Sequence, residues 1–214
     1  MAAIPINPQL ASPASTAARL IPQLKAVQSP NETPLSLHWS TELIMERLTP
    51  AIQTYSILAV ALAAGTNLST SIVTLPALLH APPSTLVTQW KIVYDEGIAP
   101  VVSLALSSSV GFATLAYRST LAPTLTPTGA VSHAKRNLYV AAAVAAFGLA
   151  PYTRILMMST IDELMRREKA QGQAQAKGEK EGTHALVRKW GRLNLIRGAM
   201  LLLSAGLGAW ASLS

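Results

Sequence analysis

Arg197 lies inside an apolar run, NLIRGAMLLLSAGLGAWASL, and no charged residue follows it. A cation there either stabilises negative charge on a ligand or snorkels toward water from one turn in. Asn194 precedes it by three residues and shares its helical face. It either joins the same site or hydrogen-bonds a neighbouring helix. Four groups elsewhere in the chain are candidates to move a proton: Asp162, His80, Tyr94 and Asp95. Asp162 is either a general base or an ordinary helix-start acid. His80 is either a base or a structural helix-end histidine, and Tyr94 is a hydroxyl donor or an interfacial aromatic. Asn67 and Thr153 can hydrogen-bond a polar ligand or pair with other protein groups. Trp90 and Tyr152 can stack on a flat ring system or sit in an aromatic belt. Arg154 is a further site candidate or a second snorkelling cation.

Other chemistries lack the residues they need. With no cysteine, a thiolate nucleophile, an iron–sulfur cluster and a Cys-ligated zinc are excluded. The four histidines, His38, His80, His133 and His184, form no close pair, so no metal site is expected. GxGxxG and GxxxxGK[ST] are both absent, so no nucleotide cofactor is expected either. The basic residues between Arg166 and Arg192 alternate with acids, as in a solvated loop beside headgroups. No nucleic-acid partner is expected.

The elements that carry these residues are apolar. The chain has 214 residues, of which 50% are hydrophobic and 13% charged, with a net charge of +7 and a mean hydropathy of +0.33. An ordinary soluble domain carries about twice that charged fraction. No Asp, Glu, Lys or Arg occurs between Arg47 and Lys91, between Glu96 and Arg118, between Arg136 and Arg154, or after Arg197. A helix needs about 20 apolar residues to cross a bilayer. The gaps therefore predict an all-α membrane protein, a four-transmembrane-helix bundle with spans near 51–79, 98–117, 138–158 and 193–213. A soluble bundle would carry polar residues at helical spacing on each solvent face, and AIQTYSILAVALAAG does not.

Residues 1–37 are rich in Pro, Ala and Ser and read as a disordered tail, with the membrane domain at 38–214. SLHWSTELIMERL reads as a short interfacial helix anchored by Trp39. In the first span the polar stretch TNLSTSIVT has two readings. The helix exits near Thr66, or it continues with its polar face turned inward. Pro76 bends or ends it. In the second span Pro100 falls in the first turn, and Ala99, Ser103, Ser107 and Gly111 form a small-residue stripe. Leu86, Trp90, Val93 and Tyr94 suit a separate short amphipathic helix before that span. Pro151 kinks the third span. Ser159 or Thr160 is then placed to cap a new helix through IDELMRRE, with Glu163 closing a capping box. The residues from Ala170 to Gly182 read as a low-complexity linker. The positive-inside rule sets the termini on the lumenal side, in an endomembrane, the endoplasmic reticulum in a eukaryotic cell. The small-residue faces leave a homo-oligomer open.

Four short signals recur in order along most of this domain: AAGTNLSTSIVTLPALL, QWKIVYDEG, PYTRILMMSTIDEL and WGRLNLIR. In that order and spacing the chain resembles the family of small four-span membrane proteins that includes the anthrone oxygenases of aromatic polyketide pathways. It carries Asp162 where the family pattern has Asn.

The resemblance implies oxidation of an anthrone-like polyphenol to an anthraquinone with O2, without flavin, haem or metal. Such chemistry asks for a flat apolar cavity reached from the bilayer, a base near the acidic carbon, and a donor or cation at the carbonyl oxygen. Under it the catalytic candidates are Asp162, Arg197, Asn194, His80 and Tyr94. The substrate-binding candidates are Asn67, Trp90, Tyr152 and Thr153. Two other classes compete. A non-enzymatic membrane assembly or accessory protein would use these polar groups for packing, and a transporter would need an oligomer of such short bundles.

Overall fold

The computed structural model describes the backbone of residues 35–121, 124–125, 131–170 and 180–214, and the side chains of 47–121, 133–170 and 182–214. The tail up to residue 34 and the linker at 171–179 lie outside the described residues. The chain divides into two units, one up to Arg47 and one from Leu48. Of the first, the structure describes a helical backbone from Leu35, through the segment expected as an interfacial helix.

Four helices are long and apolar enough to cross a membrane: Arg47–Leu78, Pro83–Leu121, Ala134–Ala170 and Gly182–Leu213. The first is α1 (Leu35–Ser69), a π-helical segment (Thr70–Thr74) and α2 (Leu75–Leu78). The polar stretch continues the helix rather than leaving it. Its hydroxyls turn back onto their own backbone, Thr66 to Leu62 at 2.9 Å, Thr70 to Thr66 at 2.8 Å and Ser71 to Asn67 at 3.0 Å. Asn67 is buried, while Ile72 and Val73 stay exposed where lipid would lie. Pro76 sits in the first turn of α2, which ends at Leu78.

The second span, α3 (Pro83–Leu121), is one unbroken helix of 39 residues. This corrects two expectations. The amphipathic segment around Trp90 is continuous with the span, and Pro100 lies in the helix interior rather than its first turn. An interior proline removes one helical hydrogen bond, and the apolar packing of Leu86, Val87 and Trp90 before it and Val101 after it carries the helix through. The small-residue stripe is used over half its length. Ala99 and Ser103 are exposed, but a Cβ on Gly111 would stand 2.0 Å from Ser56 Oγ. Here α1 and α3 approach closely.

The third span runs α4 (Ala134–Phe147), α5 (Leu149–Tyr152), a second π-helical segment (Thr153–Met157) and α6 (Met158–Ala170). Pro151 falls in α5, just ahead of that irregularity. No helix starts at Thr160, because the helix is already running there. Thr160 is buried, and Glu163 pairs with Arg166 and Arg167 at 2.8 Å instead of closing a capping box. The last span, α7 (Lys180–Leu213), is again a single helix. Between spans two and three a two-residue antiparallel ladder joins β1 (Thr124–Leu125) to β2 (Val131–Ser132), which the Pro/Thr composition did not suggest.

Two apolar clusters hold the bundle. The larger is built on alanines and valines with Phe112, Tyr139, Leu149 and Leu201. The second holds Leu75, Leu86, Trp90, Met157, Ile161, Leu164, Val187 and Trp190. On α7, Asn194 and Arg197 fall between the residues of one cluster and those of the other.

Candidate active site

Two helices bring the site together with the same spacing. On α3, Trp90, Tyr94, Gly97 and Val101 follow one another at intervals of four, three and four residues. On α7, Trp190, Asn194, Arg197 and Leu201 do the same. Each set makes one helical face. The aromatic ends meet: Trp90 lies edge to face with Trp190 at 5.7 Å and stacks on Tyr94 at 5.3 Å. One turn further along each helix, the faces part around a cavity of about 30 Å³. Its lining includes Thr66, Asn67, Tyr94, Trp190, Asn194 and Arg197. That volume admits one or two molecules the size of water or O2.

Arg197 is 4% exposed, so it does not snorkel. Its Nη1 faces the Met157 thioether at 3.9 Å, a weak acceptor. Its Nε has no hydrogen-bond partner. Among the described residues no carboxylate pairs with it. A buried guanidinium without a counter-ion costs several kcal/mol, on the order found for an ion stripped of water.

Asn194 spends both hydrogens of its side-chain amide. Its amide donates at 3.0 Å to the Asn67 carbonyl and at 3.0 Å to Ser71 Oγ, clamping α7 to the start of the first π segment. Gly198 permits the approach, since a Cβ there would meet Leu68 Cδ2 at 2.8 Å and Asn67 Cβ at 3.3 Å. The second π segment carries Met157 to Arg197. Both π-helical irregularities therefore border the cation, as such bulges often border functional sites.

Of the residues expected from sequence, Asn67, Tyr94, Asn194 and Arg197 line one cavity. Trp90 is fully buried behind the Tyr94 ring. Tyr152 donates to the Leu193 carbonyl at 3.4 Å beside them. Thr153 spends its hydroxyl on the Leu149 carbonyl at 2.7 Å. Asp162, His80 and Arg154 are exposed and do not line the cavity, and Asp95 is exposed and paired with Lys91. Trp190, Thr66, Gly97 and Met157 were not singled out as site residues. The parallel four–three–four spacing was the signal for Trp190 and Gly97. Met157 reaches Arg197 through a π turn that no pattern announces. Among the described residues no three His, Asp or Glu side chains cluster.

The family described as anthrone oxygenase matches residues 90–207, from the Trp90 of the aromatic pair to beyond Arg197. The chain is 30% identical over 160 residues to anthrone oxygenase encC of Aspergillus fumigatus, covering 67% of this chain and 82% of that relative. It is 32% identical over 149 residues to an anthrone oxygenase of Claviceps purpurea, covering 67% of this chain and 78% of the relative. No solved structure matches. The chain is an integral membrane protein of four apolar helices and belongs to the anthrone oxygenase family.

Proposed function

We propose that the protein oxidises an anthrone-like polyphenol to an anthraquinone with O2, as a cofactor-free monooxygenase of aromatic polyketide biosynthesis in the endoplasmic reticulum membrane. The observation that carries this reading is the buried Arg197, which lines a cavity without a carboxylate partner. The anthrone CH2 lies between two aromatic rings, opposite a carbonyl. Loss of one proton puts negative charge on that carbonyl oxygen, where a fixed cation is most effective. The electron-rich anion reduces O2 and forms a C–O bond to give a peroxide. The remaining hydrogen leaves with the outer oxygen as water, so that CH2 and O2 become C=O and H2O.

In this scheme Arg197 meets the oxyanion. Asn194 is a positioning residue that holds Asn67 against the cavity, and the Tyr94 hydroxyl donates to the substrate or relays its proton. Asp162 and His80 stand outside the cavity and have no step in this scheme. A three-ring substrate exceeds the cavity, so entry requires displacement of Tyr94, which is only partly buried. Gly97 marks the entrance, because no atom lies within 4 Å of where its Cβ would be.

The test is O2 uptake and quinone formation by the detergent-purified protein with emodin anthrone and a chelator, against spontaneous oxidation. Rates that scale with protein, and vanish in a folded Arg197→Gln variant, support the reading. A rate equal to the blank across a panel of anthrones overturns it.

A further inference from the structure

The cavity is lined by a buried cation and by residues whose side-chain donors lack acceptors. Three of the groups lining it carry a buried N–H that finds no partner: Asn67 Nδ2, Trp190 Nε1 and Arg197 Nε. All three residues are at least nine-tenths buried, at 5%, 3% and 4% exposure. They come from α1 and α7, and Asn194 holds those two helices together. Buried donors without acceptors are costly, and a charged donor most of all. Among the described residues, the titratable groups lining the cavity are Tyr94 and Arg197, with no Asp, Glu or His. A ligand oxygen that carries negative charge complements this cation and these donors.

We infer that the cavity binds its ligand as an oxyanion, held by the unpartnered N–H groups of Arg197, Asn67 and Trp190. Ionisation of the ligand is then driven by the cation rather than by a carboxylate or imidazole base. The inference rests on the reading that the ligand is a polyphenol, and it assigns the form in which that polyphenol binds. The proton lost on binding passes outward, past the Tyr94 hydroxyl at the cavity wall. Opposite charge close to a group favours its charged form, and so does each hydrogen bond donated to that form.

The experiment is a binding titration with alizarin, a planar hydroxyanthraquinone whose phenolate absorbs at longer wavelength than its phenol. The purified protein is compared with empty detergent micelles across pH. Bound alizarin should ionise at least about one pH unit lower than in micelles. Arg197→Gln should abolish the shift. Asn67→Asp, which keeps the side-chain shape but brings a negative charge to Arg197, should abolish it as well. The second variant guards against a simple folding failure of the first. Bound alizarin with an unshifted midpoint, a shift that survives in both variants, or no binding at all overturns the inference. Anthrone oxidation is scored separately. Phenolate binding without oxidation refutes the oxygenase and leaves the inference standing; oxidation with neutral-phenol binding does the reverse.

Discussion

Asn194 on the last helix donates its side-chain amide to the main-chain carbonyl of Asn67 on the first, 127 residues earlier in the chain and 3.0 Å away. The same carbonyl accepts the Ser71 hydroxyl at 3.0 Å. This junction stands at the entry to the π turn Thr70–Thr74, whose Leu75 N–H bonds to the Thr70 carbonyl five residues back. A long-range side-chain bond thus fixes the backbone where the helix departs from α geometry. Asn67 and Arg197 line the same cavity.

Asn194→Leu should therefore destabilise the protein by about 1–3 kcal/mol, the cost of stranding buried polar groups. Activity should fall further than stability, because Asn67 and Arg197 lose their mutual placement. Thermal unfolding in detergent, read beside anthrone turnover, checks both. Unchanged turnover in this variant would reduce Asn194 to a packing residue.

Arg197→Gln should behave in the opposite way. It removes an uncompensated buried charge, so its thermal midpoint should hold or rise. Its kcat should drop by about 10²–10³-fold, as when an oxyanion donor is deleted. Arg197→Lys keeps the charge but loses the planar fork, and should recover part of the rate. A stable Arg197→Gln protein with wild-type kcat would remove the cation from the mechanism.

The charge gaps alone announced four spans, because lipid tolerates few unpaired charges. They did not announce where helices stop. The segment around Trp90 is polar enough to read as a separate short helix, yet it continues its span, where Trp90 packs on Trp190 beyond the apolar run. Arg197, Asn194 and Asn67 were legible as polar residues within apolar runs, and Tyr94 by sharing a helical face with Trp90. Asp162 and His80 drew attention by their chemistry, and both side chains are exposed and outside the lining of this cavity. The two π segments were illegible, since a π turn inserts one residue without changing composition.

Tyr94→Phe keeps a ring in the stack on Trp90, at 5.3 Å in the native protein, and deletes only the hydroxyl. Proton transfer by a positioned side chain contributes about 10²–10⁴-fold. The variant should lose rate within that range, with KM nearly unchanged and unfolding within about 1 kcal/mol of wild type, the size of one hydrogen bond. Tyr94→Ala should lose stability as well. Stopped-flow absorbance of quinone formation across pH separates the two. A wild-type pH profile in Tyr94→Phe would take the hydroxyl out of the proton path.

Asp162→Asn and His80→Gln replace exposed side chains outside the cavity. Each should change stability by no more than about 0.5 kcal/mol, the usual range for surface substitutions. Turnover should stay within twofold of wild type, and Asp162→Asn also restores the residue of the family pattern. A large loss of kcat in Asp162→Asn, with normal membrane abundance, would return this carboxylate to the reaction.

Gly97→Leu tests the route into the site. Gly97 lines the cavity beside Tyr94, and a Cβ there meets no atom within 4 Å. The new side chain therefore has room in the folded protein. Leu also favours the helix interior over Gly by about 1 kcal/mol, so the thermal midpoint should not fall. The side chain instead occupies the mouth through which a flat three-ring substrate must pass. KM for the anthrone should rise several-fold or more, while Gly97→Ala, which adds only the Cβ, should stay near wild type. O2 is far smaller than the anthrone, so its own KM should change little. Steady-state kinetics with each substrate varied in turn make the distinction. Equal KM values for the anthrone in Gly97→Leu and wild type would place the entrance elsewhere, and direct the search to the side of the cavity walled by Thr66 and Thr70.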